Sequence, residues 1–251
     1  MIHIIAHRGA SAYEPENTLR AFERAIKMGA TMLEVDLHLS RDGHPVVIHS
    51  ADLSRTTNGQ GLVSDLTLAQ IRRFDAGLGE RVPTLAEVVD LARGRVQLYL
   101  ELKGQRTPEP VVRVLWAAAF GDQAIVSSFY PWLIQKVKFL ESASASQACR
   151  IRTSMLVRRE DQNRDFVEWA LAVEANYVHP CWENESPTPH KLLTPALIAS
   201  VRRRGLGILV WHEERPAELR ELVKLDVDGI CTDTPDVLSN ILLERQEKNT
   251  V

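Results

Sequence analysis

Apolar strand-like runs alternate with amphipathic helical stretches along the whole chain, and this rhythm limits the fold more than any other feature. Strands are expected at Ile2 to Ala6, Met32 to Leu39, Val96 to Leu102, Ala124 to Ser128, Arg150 to Val157, Tyr177 to Pro180, Leu206 to Trp211 and Gly229 to Cys231. Helical patterns lie between them; Leu19, Phe22, Ala25 and Ile26 share one face of a helix over Thr18 to Met28. Such alternation argues for a parallel sheet with crossover helices. At 251 residues, 45% of them hydrophobic, about eight units close most simply into an α/β fold of the TIM (β/α)8 barrel type. The rival is an open doubly wound sheet, which often carries a Gly-rich phosphate loop after its first strand. Here that strand runs into His7-Arg8-Gly9-Ala10 instead.

One excursion interrupts the rhythm. Arg41-Asp42-Gly43-His44 reads as a hairpin turn, and Pro45 to Ile48 as a short strand that delivers His49. The polar, Gly-containing stretch from Ser50 to about Gly79 reads as a small insertion after the second strand of a single 1–251 domain. Thr67, Thr84 with Glu87, and Thr194 before Pro195 read as helix N-caps, and Asn17 or Glu16 as the cap of the first helix. Ser142 to Ser146 reads as a connector, Cys181 to Pro195 as a loop, and Glu244 to Val251 as a fraying tail.

Barrel active sites lie at the C-terminal ends of the strands. Polar residues fall there repeatedly: His7 and Arg8, Glu34 and Asp36, Glu101 and Lys103, Trp211, Asp233, and His49 from the hairpin. Period-two alternation puts Glu34, Asp36 and His38 on one strand face and Leu33, Val35, Leu37 and Leu39 on the other. The apolar face must meet helices, so the carboxylates face the barrel interior. A solvated face for Glu34 and Asp36, and a structural cap for His7-Arg8, are the plainer alternatives. Buried carboxylates need cations. Three of them against Arg8 and Lys103 leave room for a divalent ion, and all-oxygen ligation selects Ca2+, Mg2+ or Mn2+ over Zn2+. His3, His38, His44, His179, His190 and His212 read as structural or solvated.

Composition closes off other classes. A net charge of -3 and no basic stripe give no basis for nucleic-acid binding. Arg202-Arg203-Arg204 ends a helix, where cations suit the dipole, and Arg158-Arg159-Glu160-Asp161 is a charge-balanced loop. Cys149, Cys181 and Cys231 are widely spaced and read as free thiols of a reducing compartment. Met1 to Ala6 is too short for a signal peptide, and no apolar run approaches the ~20 residues of a membrane span. The expectation is a cytoplasmic monomer or homodimer without stable membrane anchoring.

His7-Arg8-Gly9-Ala10, Pro15-Glu16-Asn17-Thr18-Leu19 and Glu34-Val35-Asp36-Leu37 together resemble the opening of the glycerophosphodiester phosphodiesterases. The likeness continues through Asp42-Gly43, Val46-Val47-Ile48-His49, Arg55-Thr56-Thr57-Asn58-Gly59, Val82-Pro83-Thr84-Leu85, Glu101-Leu102-Lys103, Val210-Trp211 and Val227 to Pro235. It covers nearly the whole chain in order and is similar to the short cytosolic bacterial members. The resemblance implies one divalent cation, Ca2+ or Mg2+ with Mn2+ as an alternative, held by Glu34, Asp36 and Glu101. It implies His7 and His49 as the acid/base pair, Arg8 and Lys103 on the phosphate, and Trp211 beside the substrate. It implies hydrolysis of small glycerophosphodiesters, the deacylated phospholipids, to sn-glycerol 3-phosphate and an alcohol. Two departures stand out. Ser50 replaces the Asp that commonly follows the second histidine, and Trp211-His212-Glu213-Glu214 replaces Trp-Thr-Val-Asn. The acid at Glu214 points towards cationic alcohols such as choline or ethanolamine. Two rivals remain: a phospholipase acting on intact phospholipid, for which no aromatic-basic loop is visible, and a non-catalytic phosphate-ester-binding barrel, which would not need the two histidines.

Overall fold

The computed structural model describes residues 2–143, 150–158, 161, 165–180 and 186–250, with side chains through 247. Its elements run β1 (His3–Ala6), α1 (Leu19–Lys27), β2 (Met32–Leu39), β3 (Pro45–Val47), α2 (Leu68–Ile71), α3 (Leu85–Ala92), β4 (Gln97–Leu102), α4 (Pro108–Ala117) and β5 (Ala124–Ser128). They continue with α5 (Pro131–Ala143), β6 (Arg152–Val157), α6 (Phe166–Ala172), β7 (Tyr177–Pro180), α7 (Pro195–Arg203), β8 (Gly207–Val210), α8 (Pro216–Leu222), β9 (Gly229–Thr232) and α9 (Pro235–Thr250). Strands β1, β2, β4, β5, β6, β7, β8 and β9 pair in parallel in that order, and β1 also pairs with β9. The sheet therefore closes into the TIM barrel that the alternation demanded.

Strand alternation fixes what faces inward. Ile5, Met32, Tyr99, Ile125, Leu156, Leu209 and Cys231 fill the barrel interior. Leu33, Val35 and Leu37 lie on the opposite face of β2 and join the layer packed under the helices. In the β2–β4 register Asp36 stands beside Glu101. A one-residue slip would turn every carboxylate out of the barrel.

Three predicted caps are present: Thr67 and Thr84 each form a capping box, and Thr194 accepts from the Leu197 N–H. The cap of α1 differs from expectation. Thr18, not Asn17 or Glu16, accepts the Ala21 N–H. Asn17 adopts a left-handed backbone (φ 58°) and sends its side chain to Asp36 instead. The last helix also runs further than expected, to Thr250. Glu, Arg, Gln and Lys are good helix formers, so the polar tail extends the helix that buried Leu238 and Ile241 anchor.

Strand β3 returns antiparallel to β2, pairing Val46 with His38 and Val47 with Leu37. The segment that follows has its own small core of Val46, Ile48, Leu53, Val63, Ile71, Ala76 and Val82, separate from the two barrel layers. This is the insertion after the second strand. Among the described residues, no helix is long and apolar enough to cross a membrane. Cys149, Cys181, Arg159, Glu160, Arg164, residues 144–146 of the connector and 182–185 of the loop lie outside the described residues. Cys231 is buried.

Candidate active site

The C-terminal ends of β1, β2 and β4 bring Glu34, Asp36 and Glu101 together. Each offers a carboxylate oxygen within 4.8 Å of the others, and all three are buried. The backbone explains much of the gathering. Arg8 sits in the left-handed region (φ 56°), a strain of roughly 1–2 kcal/mol for a residue with a Cβ. That turn aims its N–H at Glu34 Oε2, 2.9 Å away. Gly9 follows with φ 88°, and a Cβ there would come within 2.7 Å of the Ala21 backbone, so only glycine lets the turn press on α1.

Both nearby cations are paired inside the cluster. Lys103 Nζ lies 2.9 Å from Asp36 Oδ1 and 2.7 Å from Glu101 Oε1. The Arg8 guanidinium meets both Glu16 oxygens at 3.1 Å, and its Nε lies 3.2 Å from Asp36 Oδ2. Asn17 Nδ2 donates to the same Oδ2 at 2.9 Å. Burial pushes Asp36 upward, but Lys103 and Arg8 outweigh it and hold the carboxyl well below its ordinary range. Glu34 goes the other way: burial and the charges of Asp36 and Glu101 raise it well above a normal carboxyl. Glu101 is likewise raised by burial, against the pull of Lys103, to about 7. Burial disfavours the Lys103 charge, yet Asp36 and Glu101 raise it above the usual lysine range. Among the described residues, no donor reaches Glu34 Oε1 or Glu101 Oε2. Three buried carboxylates, two of them raised by burial and by each other's charge, fit a hard divalent ion with oxygen ligation.

His7 stands next to this cluster. Its Nδ1 lies 2.7 Å from Asp233 Oδ1, just beyond β9. Ser11 Oγ lies 2.8 Å from that same oxygen and 2.7 Å from the His7 carbonyl. Trp211 is tilted against the His7 ring at 5.6 Å, and His212 stacks on it at 4.6 Å and 21°. Burial lowers His7 below the ordinary histidine value; Asp233 opposes that, and Arg8 and His212 add to it. Asp233 itself is held at about 2: burial raises it, but the bond to His7 and the charges of His7 and His212 prevail.

His49, at the end of the hairpin excursion, is held differently. Its Nδ1 faces Ser50 Oγ at 3.4 Å and Arg55 Nη1 at 3.3 Å. Among the described residues, no carboxylate hydrogen-bonds its ring. Burial lowers it to about 3; Asp36 opposes, while Lys103, Arg8 and Arg55 push it further down. His38 Nε2 meets the His49 carbonyl oxygen at 3.2 Å and so supports the backbone there.

The sequence reading omitted part of this site. Asp233 had been placed at the mouth without a task, and Ser11 not at all. His212 stacks on His7 and pairs through Nδ1 with Glu214 Oε1 at 2.5 Å, which also accepts the Asp233 N–H at 3.3 Å. The Trp211 Nε1–H is buried without a hydrogen-bond acceptor among the described residues. At the end of β5, Phe129 touches Trp211, Tyr130 touches the exposed Trp132, and the Arg158 guanidinium lies over Phe129 and Tyr130. Phe129, Tyr130 and Trp132 are near neighbours in sequence, but Arg158 and Trp211 reach them only through the fold, so the basic half of the cluster has no local sequence signal.

Fold and site together define a TIM-barrel enzyme of the phosphodiesterase class. A family model described as "Glycerophosphoryl diester phosphodiesterase family" matches residues 7–237. The chain belongs to that family. It is 34% identical over 255 residues to a protein of Caldanaerobacter subterraneus subsp. tengcongensis named glycerophosphodiester phosphodiesterase, covering 95% of this chain and 97% of the other. The crystal structure of a glycerophosphodiester phosphodiesterase from Agrobacterium tumefaciens superposes with a TM-score of 0.82 at 29% identity, covering 96% of this chain and 100% of that one. A phosphodiesterase of Oleispira antarctica, solved in complex with the product sn-glycerol-3-phosphate, superposes with a TM-score of 0.83 at 26% identity, covering 96% of each chain.

Proposed function

We propose that this enzyme hydrolyses glycerophosphodiesters to sn-glycerol 3-phosphate and an alcohol, with a divalent ion on Glu34, Asp36 and Glu101 and with His7 and His49 moving protons. One observation carries the reading. A histidine braced by a carboxylate, His7 on Asp233, adjoins three buried carboxylates at the mouth of one barrel. The ion, Ca2+ or Mg2+, would act as a Lewis acid that stabilises charge on the phosphate oxygens. Lys103 and Arg8 add positive charge to the same place. The unpartnered Trp211 N–H offers a donor to the bound substrate.

The partners of the two histidines divide their roles. Asp233 accepts from His7 Nδ1, which leaves a lone pair on Nε2 and makes His7 the base. It withdraws the proton from the attacking hydroxyl, whether of water or of the glycerol C2. Arg55 can only donate, so it keeps a lone pair on His49 Nδ1 and a proton on Nε2. His49 Nε2–H then faces the leaving oxygen; full proton transfer needs the imidazolium, in which Nδ1 is protonated too and gives up its contact with Arg55. Glu214 lies partly exposed beside this centre and supports a preference for cationic alcohols. A second reading, action on phospholipid that keeps an acyl chain, draws on the exposed Trp132 and the Arg158 cluster.

A coupled assay for sn-glycerol 3-phosphate, run on glycerophosphocholine, glycerophosphoethanolamine and glycerophosphoglycerol with and without ion, tests the proposal. Ion-dependent release is expected, fastest from the cationic esters. Release from none of them, with turnover of a lysophospholipid, would favour the second reading. An unchanged choline-to-glycerol ratio in Glu214→Asn would remove the headgroup assignment.

A further inference from the structure

A second cluster of potential ion-ligating side chains, with a different donor set, lies at the mouth. His7, His212 and Asp233 each present a donor atom, all within 4.8 Å of one another. Glu214 adds a fourth group: it pairs with His212 Nδ1 at 2.5 Å and accepts the Asp233 N–H at 3.3 Å. The four side chains thus form one linked unit, with the two imidazoles stacked at 4.6 Å. Two of the four belong to the single stretch Trp211-His212-Glu213-Glu214.

We propose that His7, His212 and Asp233, supported by Glu214, form an inhibitory site for a borderline transition ion, zinc above all. Mixed imidazole nitrogen and carboxylate oxygen is the ligand set of Zn2+, whereas the neighbouring Glu34, Asp36 and Glu101 offer oxygen alone. Tetrahedral zinc, with bonds of ~2.0 Å, sets its donors roughly 3.3 Å apart, so the His7 Nδ1–Asp233 Oδ1 pair at 2.7 Å would open while His212 would draw in. A small approach of His212, which follows the end of β8, closes the site. Inhibition follows from what the ion displaces. Coordination of His7 through Nδ1 breaks its bond to Asp233 and moves the ring proton to Nε2. The lone pair assigned to the base is then lost. No electron transfer and no covalent step is involved.

The binding claim stands on the ligands alone; the inhibition claim rests also on the proposed role of His7. The experiment separates them. Co2+ is titrated into protein saturated with Mg2+, and the visible absorption of low-coordinate Co2+ is recorded. The band should appear in the wild type and in Glu101→Gln and be lost in His212→Gln, with Glu214→Gln as a second variant that weakens it. Zn2+ is then titrated against the activity of the wild type, His212→Gln and Glu214→Gln, each measured against its own zinc-free rate at saturating Mg2+. His212→Gln should raise the half-inhibitory zinc concentration on the order of 10-fold or more. No band in the wild type, or a band lost in Glu101→Gln and kept in His212→Gln, would overturn the site. A band without zinc inhibition would overturn the inhibitory role and leave glycerophosphodiester hydrolysis untouched.

Discussion

The two histidines of the mouth have been given opposite surroundings. His7 ends a central barrel strand, is buried, touches Trp211 and His212, and meets a carboxylate through Nδ1. His49 ends a hairpin outside the barrel, is only partly covered, and meets a serine and an arginine. Burial lowers both, but only His7 has a carboxylate hydrogen-bonded to its ring. The contrast teaches that a pair of like residues can be made unlike by their second nitrogen. In the proposed mechanism one ring would accept a proton and the other would present one.

The comparison can be broken in several places. Chelation has the largest expected effect: activity falls to background and returns with Ca2+ or Mg2+, and indifference to chelator would remove the ion from the mechanism. His7→Ala and His49→Ala each lower kcat by at least ~10² with the circular dichroism spectrum kept; full activity in either variant would end its catalytic assignment. Asp233→Asn keeps the ring but loses the acceptor that selects its tautomer, and kcat falls by about 10²–10⁴. It also removes a group that raises His7, so the acid limb of the pH profile moves down, not up.

Smaller effects sharpen the picture. In ion-free protein the raised Glu34 and Glu101 contribute stability that is complete below the ordinary carboxyl value and fades as pH climbs through about 7 for Glu101. The melting temperature should therefore fall between pH 5 and pH 8, and the gain on adding Mg2+ should be greater at pH 8. Asp36, with its depressed value, works in the other direction and loses its contribution only in strong acid. The smallest effect is that of Ser50→Asp. A carboxylate beside His49 favours its charged form, so the limb of the profile belonging to it moves to higher pH with a change in kcat/KM of under about tenfold. A static limb would mean that residue 50 does not reach the ring in solution.

What could be read from the sequence follows from distance along the chain. The facing of Glu34 and Asp36 came from alternation within eight residues of one strand. The capping box of Thr84 with Glu87 came from a spacing of three, whereas Thr67 read only as a cap and its box with Gln70 emerged in the structure. Glu101 came into place because consecutive barrel strands are neighbours. Asp233 could be placed at the mouth but not on His7, since a bond across 226 residues depends on barrel closure through β9. Asn17 was misread for a subtler reason. An Asn before a helix has two outlets, a cap or a distant partner, and only the left-handed turn at φ 58° decides between them. The stacking of His212 on His7 is a matter of loop path after β8, for which the sequence has no periodic signal.

The small core of Val46, Ile48, Leu53, Val63, Ile71, Ala76 and Val82 separates the hairpin excursion from the barrel layers. In the proposed mechanism, one half of the proton-handling pair therefore borders an appendage with its own core. Substitutions or length changes between residues 50 and 79 would alter how His49 is held, while the strands that carry His7 and the carboxylates keep their register. Leaving-group handling could then be retuned through one segment with the phosphate-handling half left in place.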